Sequence, residues 1–500
     1  MLARVRSAAV FGIDASPVTI EVDVSFGLPC FTVVGLPDAS VRESRDRIRS
    51  AIRNSGFEFP QHRVMVNLAP ADVRKAGASF DLPIALGVLA ASGVIARRDV
   101  EDVLILGELS LDGGIQAARG VLPIAAAARR QRIAGLLLPV ANAPEAAVVE
   151  GLQFFPVRSL TEAVSALNDP RPVRLAPEPV GAPPENVHGD FADVRGQPLA
   201  KRALEIAAAG GHNVLLSGPP GSGKTMMAKR AAGILPSLTF EEALEVTAIH
   251  SVAGLLTPGC GLLRARPFRA PHHTVSDVAL VGGGSTPRPG EISLAHHGVL
   301  FLDEMPEFSR HALEVLRQPL EDGMVRISRA MRTAIFPARF VLIGAMNPCP
   351  CGFLGDPRRP CRCTPTQIDR YASRLSGPLR DRIDLTVTVS AVATLELTSG
   401  AESEPTASIR ARVERARAVQ DARAASVDAP TNARLAPRAL RRVSALDDRT
   451  QRLLHDAAER LGLTARAFDR ILRVSRTIAD LRDSDRVAFE DVAEALQYRG

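Results

Sequence analysis

Asn213-Val214-Leu215-Leu216-Ser217-Gly218-Pro219-Pro220-Gly221-Ser222-Gly223-Lys224-Thr225 decides the fold. Its first five residues are an apolar run of the kind a buried strand makes, and Met226 to Ala232 continue with helical composition. Between them stands the pattern G-x-x-x-x-G-K-[ST], in the strand–loop–helix context it needs. The glycines let backbone N–H groups curl around phosphate oxygens, and the helix N-terminus adds favourable partial charge. Lys224 is then expected to reach the β- and γ-phosphates, and Thr225 to ligate Mg²⁺ through its hydroxyl. Gly218, Pro219, Pro220, Gly221, Ser222, Gly223, Lys224 and Thr225 are thus read as a loop for ATP with Mg²⁺. A glycine-rich turn with a chance Lys-Thr pair is the alternative, and the flanking elements argue against it.

Outward from the loop, Gly298-Val299-Leu300-Phe301-Leu302-Asp303-Glu304 is an apolar strand ending in two carboxylates. A buried strand would deliver Asp303 to the metal and leave Glu304 beside it to polarise the attacking water. The competing reading is a strand that ends in a solvated acidic turn. A further strand, Phe340-Val341-Leu342-Ile343-Gly344-Ala345, ends at Met346-Asn347, where Asn347 would hold that water or only cap a turn. Phosphoryl transfer also needs positive charge on the developing oxyanion. Arg382 and Arg466 are candidates; either could equally be a surface salt-bridge residue.

These motifs sit in a chain of 500 residues, long enough for several domains. Residues 1–167 alternate strand and helix patterns. Val18 to Val24 alternates with period two, 38–55 is polar with helical spacing, Val64 to Leu68 and Val103 to Leu106 read as strands, and Leu82 to Ala96 as a buried helix. Residues 168–189 crowd six prolines and read as a linker. A second α/β unit follows over 190–390. Residues 391–500 form a helical section, opened by a polar hinge at Ser399 to Thr406. Within it Phe468, Ile471, Leu472, Ile478 and Leu481 recur at three-to-four spacing.

Aromatics make up 4%, with no Trp, so the core is aliphatic and base-stacking platforms are few. The +6 formal charge, from 61 basic and 55 acidic residues, suits a nucleic-acid partner and a solvated Arg-rich surface about equally. Arg4 and Arg6 interrupt any apolar leader, the Leu82 to Ala96 stretch is too short to span a bilayer, and six cysteines do not make a secreted disulfide framework. A cytoplasmic chain without a membrane partner is expected.

Four of the cysteines cluster: Cys349-Pro350-Cys351 and Cys361-Arg362-Cys363. Four thiolates complete a tetrahedral Zn²⁺ shell; the other reading is reduced thiols in a Pro-rich loop. Cys30 and Cys260 read as small buried apolar residues. Arg326, Arg329 and Arg332, between the two later strands, could project from a hairpin to touch DNA phosphates or simply be solvated there. Arg266, Arg269, His272 and His273 offer a pore or subunit-contact role.

Together these stretches resemble a known family. Pro287-Arg288-Pro289-Gly290-Glu291-Ile292-Ser293-Leu294-Ala295-His296-His297-Gly298 and Leu375-Ser376-Gly377-Pro378-Leu379-Arg380-Asp381-Arg382-Ile383-Asp384-Leu385 look like signatures of the magnesium-chelatase-like branch of AAA+ ATPases. The resemblance implies an α/β core with a C-terminal helical lid. It implies Arg382 as an arginine finger on the neighbouring subunit's ATP, and Arg466, in Thr464-Ala465-Arg466, as the lid's sensor arginine. The first unit looks like the proteolytic domain of Lon, with a ribosomal S5 domain 2-like α/β fold. Lys75-Ala76-Gly77-Ala78-Ser79-Phe80-Asp81-Leu82 is similar to the segment carrying the Lon nucleophile, which falls on Ser79. The stretch matching the Lon lysine reads Arg119-Gly120-Val121-Leu122, and a leucine cannot deprotonate a serine, so protease activity is not expected. Both resemblances together point to the ComM/YifB family and imply a homo-oligomeric, hexameric ring moving on DNA and driving branch migration. The other readings weighed are a chelatase motor, an ATP-dependent protease and a protein-remodelling ATPase.

Overall fold

Val18, Ile20 and Val22 fall on one face of the strand Asp14–Ser25 and are fully buried, as period-two alternation requires. In this computed structural model, which describes all residues except 72–74, 76–77, 174, 176–188, 258, 285–286, 329–332, 357–358, 391–402 and 500, that strand belongs to a seven-stranded mixed sheet. The order is Cys30–Val34, Arg63–Ala69, Asp14–Ser25, Leu2–Phe11, Asp99–Ile105, Gly135–Pro139 and Gln153–Val157. The expected helix from Leu82 is Asp81–Ala91, buried along its whole length. It stops short of Ala96 because Ser92-Gly93 follows, with Gly93 at φ 82°. Gly87 lets this helix lie on the sheet, since a Cβ there would meet Val22 Cγ2 at 2.6 Å.

The second sheet is wholly parallel: Phe268–Arg269, Val299–Leu302, Val341–Met346, Val214–Ser217 and Leu385–Thr388. All three central strands read as continuous apolar runs because helices cover both faces. Their register pairs Ser217 with Met346 and Leu302 with Gly344, so their C-terminal ends open on one crevice. In open parallel sheets that edge is where ligands bind.

Residues from 403 onward form the helices Thr406–Val427, Pro437–Val443, Asp448–Leu461, Ala465–Leu481 and Phe489–Gln497. They hold a small apolar cluster of their own, around Val427, Leu435, Leu440 and Leu472, and also share the core of the parallel sheet. Ile409, Ile471, Ile478 and Val492 join one apolar cluster with Val214, Phe301 and Ile343 of the parallel sheet. Buried Asp480 ties the helices together, accepting from Arg423 (2.9 Å), Arg476 (2.8 Å) and Asn432 (2.7 Å). Most of the Pro-rich stretch 168–189, and the hinge up to residue 402, lie outside the described residues.

The two α/β units touch directly. Helix Val121–Arg130 packs on helix Phe240–Ala253, whose Leu244 and Ala248 join the apolar cluster around Leu104 and Leu136. Glu145 is buried there. It accepts from the Leu122 amide at 2.8 Å and from the Ser251 hydroxyl, and burial raises its pKa despite these donors. No described helix is long and apolar enough to cross a membrane.

Candidate nucleotide site and its surroundings

The loop 218–223 leaves the strand Val214–Ser217 and enters the helix Lys224–Ile234. Gly221 and Gly223 take φ 77° and 87°, the left-handed backbone that turns successive amides toward one point. Lys224 Nζ lies over the loop, donating to the carbonyls of Gly218 (2.6 Å) and Pro219 (2.8 Å), and stands 3.5 Å from Asn347 Oδ1. Burial lowers its pKa from the ordinary lysine value, while the carboxylates of Asp303 and Glu304 oppose that shift.

The Thr225 hydroxyl donates to Asp303 Oδ2 at 2.7 Å. Asp303 Oδ1 accepts from the Glu304 amide at 3.0 Å. A hydroxyl and a carboxylate this close, beside a lysine and a glycine-rich loop, can share a divalent cation bound to a polyphosphate. Glu304 adopts φ 49°, ψ 45°. A non-glycine residue in that region costs about 1–2 kcal/mol, and such strain gathers at functional sites. Its Oε2 lies 3.6 Å from His273 Nδ1. That contact was not visible in the sequence, because His273 belongs to a loop that only the parallel sheet folds back over the strand end.

Asn347 is half-buried at the exit of Val341–Met346, one strand over from the loop. The structure therefore brings Lys224, Thr225, Asp303, Glu304 and Asn347 together. It does not bring Arg382 or Arg466 to them. Those two line a different cavity of about 420 Å³, with Glu321, Arg434, Arg470 and Arg473, and no residue of 218–225 lines it. Arg382 donates to the Pro378 carbonyl at 2.7 Å and pairs with Glu321. Arg470 positions its turn by donating to the carbonyls of Ile383 (2.7 Å) and Arg380 (3.1 Å) and pairing with Asp381. Spacing could not have singled out Arg470, since its role is to join the helical section to that turn.

Arg266 and Arg269 have other partners than a pore. Arg266 donates to the His297 carbonyl (2.7 Å) and to Glu242 (2.8 Å), and Arg269 grips Glu291 through two bonds of 2.6 and 2.7 Å. Arg326 is exposed on the antiparallel hairpin Met324–Ser328 / Thr333–Pro337; Arg329 and Arg332 lie outside the described residues. In the first unit, Ser79 sits in the short 3-10 turn Ala78–Phe80 and Leu122 is buried in the first turn of its helix. Cys30 is exposed rather than buried, because its strand lies at the edge of the sheet. Cys260 is only half-buried.

The four clustered cysteines converge. Cys349 Sγ lies 3.4 Å from Cys351 Sγ and 3.6 Å from Cys361 Sγ, Cys351 lies 3.6 Å from Cys361, and Cys363 falls within 4.8 Å of all three. A disulfide would need about 2.05 Å. Four sulfurs at about 2.3 Å from a tetrahedral Zn²⁺ stand about 3.8 Å apart, so the set fits a metal shell.

Three family models cover most of the chain. Magnesium chelatase, subunit ChlI, matches residues 190–397; subunit ChlI of Mg-chelatase matches 20–142; and the ChlI C-terminal model matches 403–499. Competence protein ComM of Haemophilus influenzae is 45% identical over 505 residues, covering 100% of this chain and 97% of that protein. YifB of Salmonella typhimurium is 43% identical over 500 residues, with the same coverage. The magnesium-chelatase 67 kDa subunit of Chlorobaculum parvum is 29% identical over 164 residues, 32% of this chain and 23% of that protein. A full-length match at this identity, over a P-loop core and a helical C-terminal section, shows that the chain belongs to the ComM/YifB family of magnesium-chelatase-like AAA+ proteins.

Proposed function

We propose that the chain is an ATP-hydrolysing ring motor acting on DNA, a branch-migration helicase or translocase working in natural transformation or recombination. The family implies an ATPase, and AAA+ proteins are typically oligomeric. The observation that carries the catalytic half is the 2.7 Å contact between Thr225 and Asp303, made within reach of Lys224. Thr225 and Asp303 would hold Mg²⁺, which neutralises phosphate charge when bound. Gly218 to Gly223 cradle the phosphates, Lys224 holds the β- and γ-oxygens, Glu304 polarises the attacking water and Asn347 orients it. The four cysteines would hold a structural Zn²⁺.

Arg382 acts on the neighbouring subunit's ATP in this reading and Arg466 serves as the lid's sensor arginine; both stand in a cavity apart from their own loop. Arg382→Ala should lower the ATPase rate by roughly 10³-fold or more. Mixing it with Lys224→Ala chains, themselves inactive, should restore part of the rate, because some interfaces then pair an intact loop with an intact finger. No recovery in mixed rings would refute action in trans.

Arg326, Arg329 and Arg332 are proposed to meet DNA phosphates from the hairpin facing the pore. The name of the relative, a competence protein, supports a DNA pathway. A chelatase motor is the weaker reading, because the match to a chelatase subunit spans 32% of this chain whereas the ComM match spans all of it. The first unit serves no proteolysis in this reading, with leucine at 122. The deciding experiment is the ATPase rate without DNA, with single-stranded DNA and with branched DNA. Either DNA should raise the rate, and the gain should fall steeply with salt as phosphate contacts are screened. An unchanged rate would remove DNA from the proposal and leave a protein-remodelling ATPase.

A further inference from the structure

The loop that carries the four cysteines starts at Asn347, the end of the strand beside the phosphate loop, and ends at Thr364, which caps the helix Pro365–Ala372. Between the two Cys-x-Cys pairs the chain makes one excursion, and it goes to the nucleotide crevice. Gly352, at φ 84°, lies flat on Pro220 of the phosphate loop: a Cβ there would meet Pro220 Cδ at 2.6 Å and Cγ at 2.9 Å. Phe353, Asp356 and Arg359 then form one wall of a cavity of about 570 Å³. The opposite walls come from Pro220 to Gly223, Met226 and Met227, and from Val194 and Gln197. The Arg359 guanidinium sits 5.3 Å from the Phe353 ring centre. The cavity starts at the phosphate loop and continues past Met226, Met227 and Phe353, with the charged Asp193 and Arg195 also on its lining, a space of the size that takes a nucleoside.

The excursion begins with two backbone bonds, from the Gly352 amide to the Cys349 carbonyl at 3.0 Å and from the Asp356 amide to the Phe353 carbonyl at 3.1 Å. It is short and contains Gly352 and Gly355, and its described residues form no helix or strand. What closes it is the cysteine cluster at its base. Backbone amides of Phe353 and Arg362 donate to Cys351 Sγ, and the Cys363 amide lies 3.4 Å from Cys361 Sγ. Amides turned onto sulfur are the second layer a thiolate–metal centre uses to orient its ligands.

We propose that metal occupancy of the Cys349, Cys351, Cys361 and Cys363 site sets the nucleotide affinity of this ATPase, by holding Phe353 and Arg359 in place as a wall of the nucleotide cavity. This rests on reading that cavity as the ATP site. The metal is Zn²⁺ or another thiophilic divalent ion, and it takes no part in hydrolysis. Without it the loop keeps its sequence but loses its closure, as small metal-tied segments do. The purine then loses one of its walls while the phosphates keep Lys224.

The test uses the full-length protein. Metal content is measured by mass spectrometry, and binding of a fluorescent ATP analogue is titrated before chelation under reducing conditions, after it, and after Zn²⁺ or Mg²⁺ is returned. We expect one zinc per chain and roughly 10-fold weaker binding after chelation, the loss that one aromatic–base contact represents. Zn²⁺ should restore affinity and Mg²⁺ should not. Phe353→Ala with Arg359→Ala should keep its zinc and bind as weakly as the chelated protein, which separates loss of the wall from general unfolding. Wild-type chains that hold no metal, or a chelated protein or wall variant that binds as tightly as wild type, would overturn the proposal. Lys224→Ala serves as the control: if it too binds normally, the cavity is not the ATP site and the underlying reading fails instead.

Discussion

Lys224→Ala should weaken ATP binding by roughly 10² to 10⁴-fold, while the fold stays intact by circular dichroism. In the structure Nζ donates to the Gly218 and Pro219 carbonyls at 2.6 and 2.8 Å. Those bonds hold the ammonium at the centre of the loop, where the phosphates would replace the carbonyls as its partners. Each hydrogen bond to a charged group contributes about 1.5–3 kcal/mol, and two of them give roughly that range of affinity at 1.4 kcal/mol per tenfold. Burial already lowers the pKa of this lysine, so the charge is held at a desolvation cost that a bound triphosphate offsets. Equilibrium titration with an ATP analogue and Mg²⁺ is the measurement. Binding within a fewfold of wild type would refute the phosphate role of the loop, and with it the motor.

Glu304→Gln should separate binding from turnover. The amide keeps the shape of the side chain and its place at φ 49°, but it cannot accept a proton or polarise water as a carboxylate does. We expect ATP affinity near that of wild type and a single-turnover hydrolysis rate lower by roughly 10² to 10⁴-fold. The variant should then accumulate as an ATP-bound assembly, longer-lived on size-exclusion chromatography with ATP than the wild type. Normal turnover would move water activation to another group. His273, 3.6 Å from Glu304, would be the first to examine.

Some of this site was legible without coordinates because it is local. The phosphate loop is a contiguous string whose glycines need positive φ, and Gly221 and Gly223 have it. Glu304 and Asn347 were legible for a related reason, as polar residues ending apolar strands. In the sequence Arg266 and Arg269 offer a pore or subunit contact; within the chain they hold Glu242, the His297 carbonyl and Glu291, because the identity of a side chain does not say what it will meet. Cys30 looked buried and is exposed, for the same reason.

By itself the sequence determined the family, the alternation of strands and helices, the phosphate loop and the carboxylates that answer it. Each depends on residues adjacent in the chain or on a period of two or 3.6, which are properties of the backbone. Only the tertiary structure decided that Thr225 and Asp303 meet across 78 positions of sequence. It also decided that Arg382 and Arg466 share a cavity away from their own loop, and that Phe353 and Arg359 line another cavity together with Pro220 to Gly223. Those facts follow from which strands pair and in what register, and pairing is settled by the packing of the whole apolar core, to which no short stretch holds the answer.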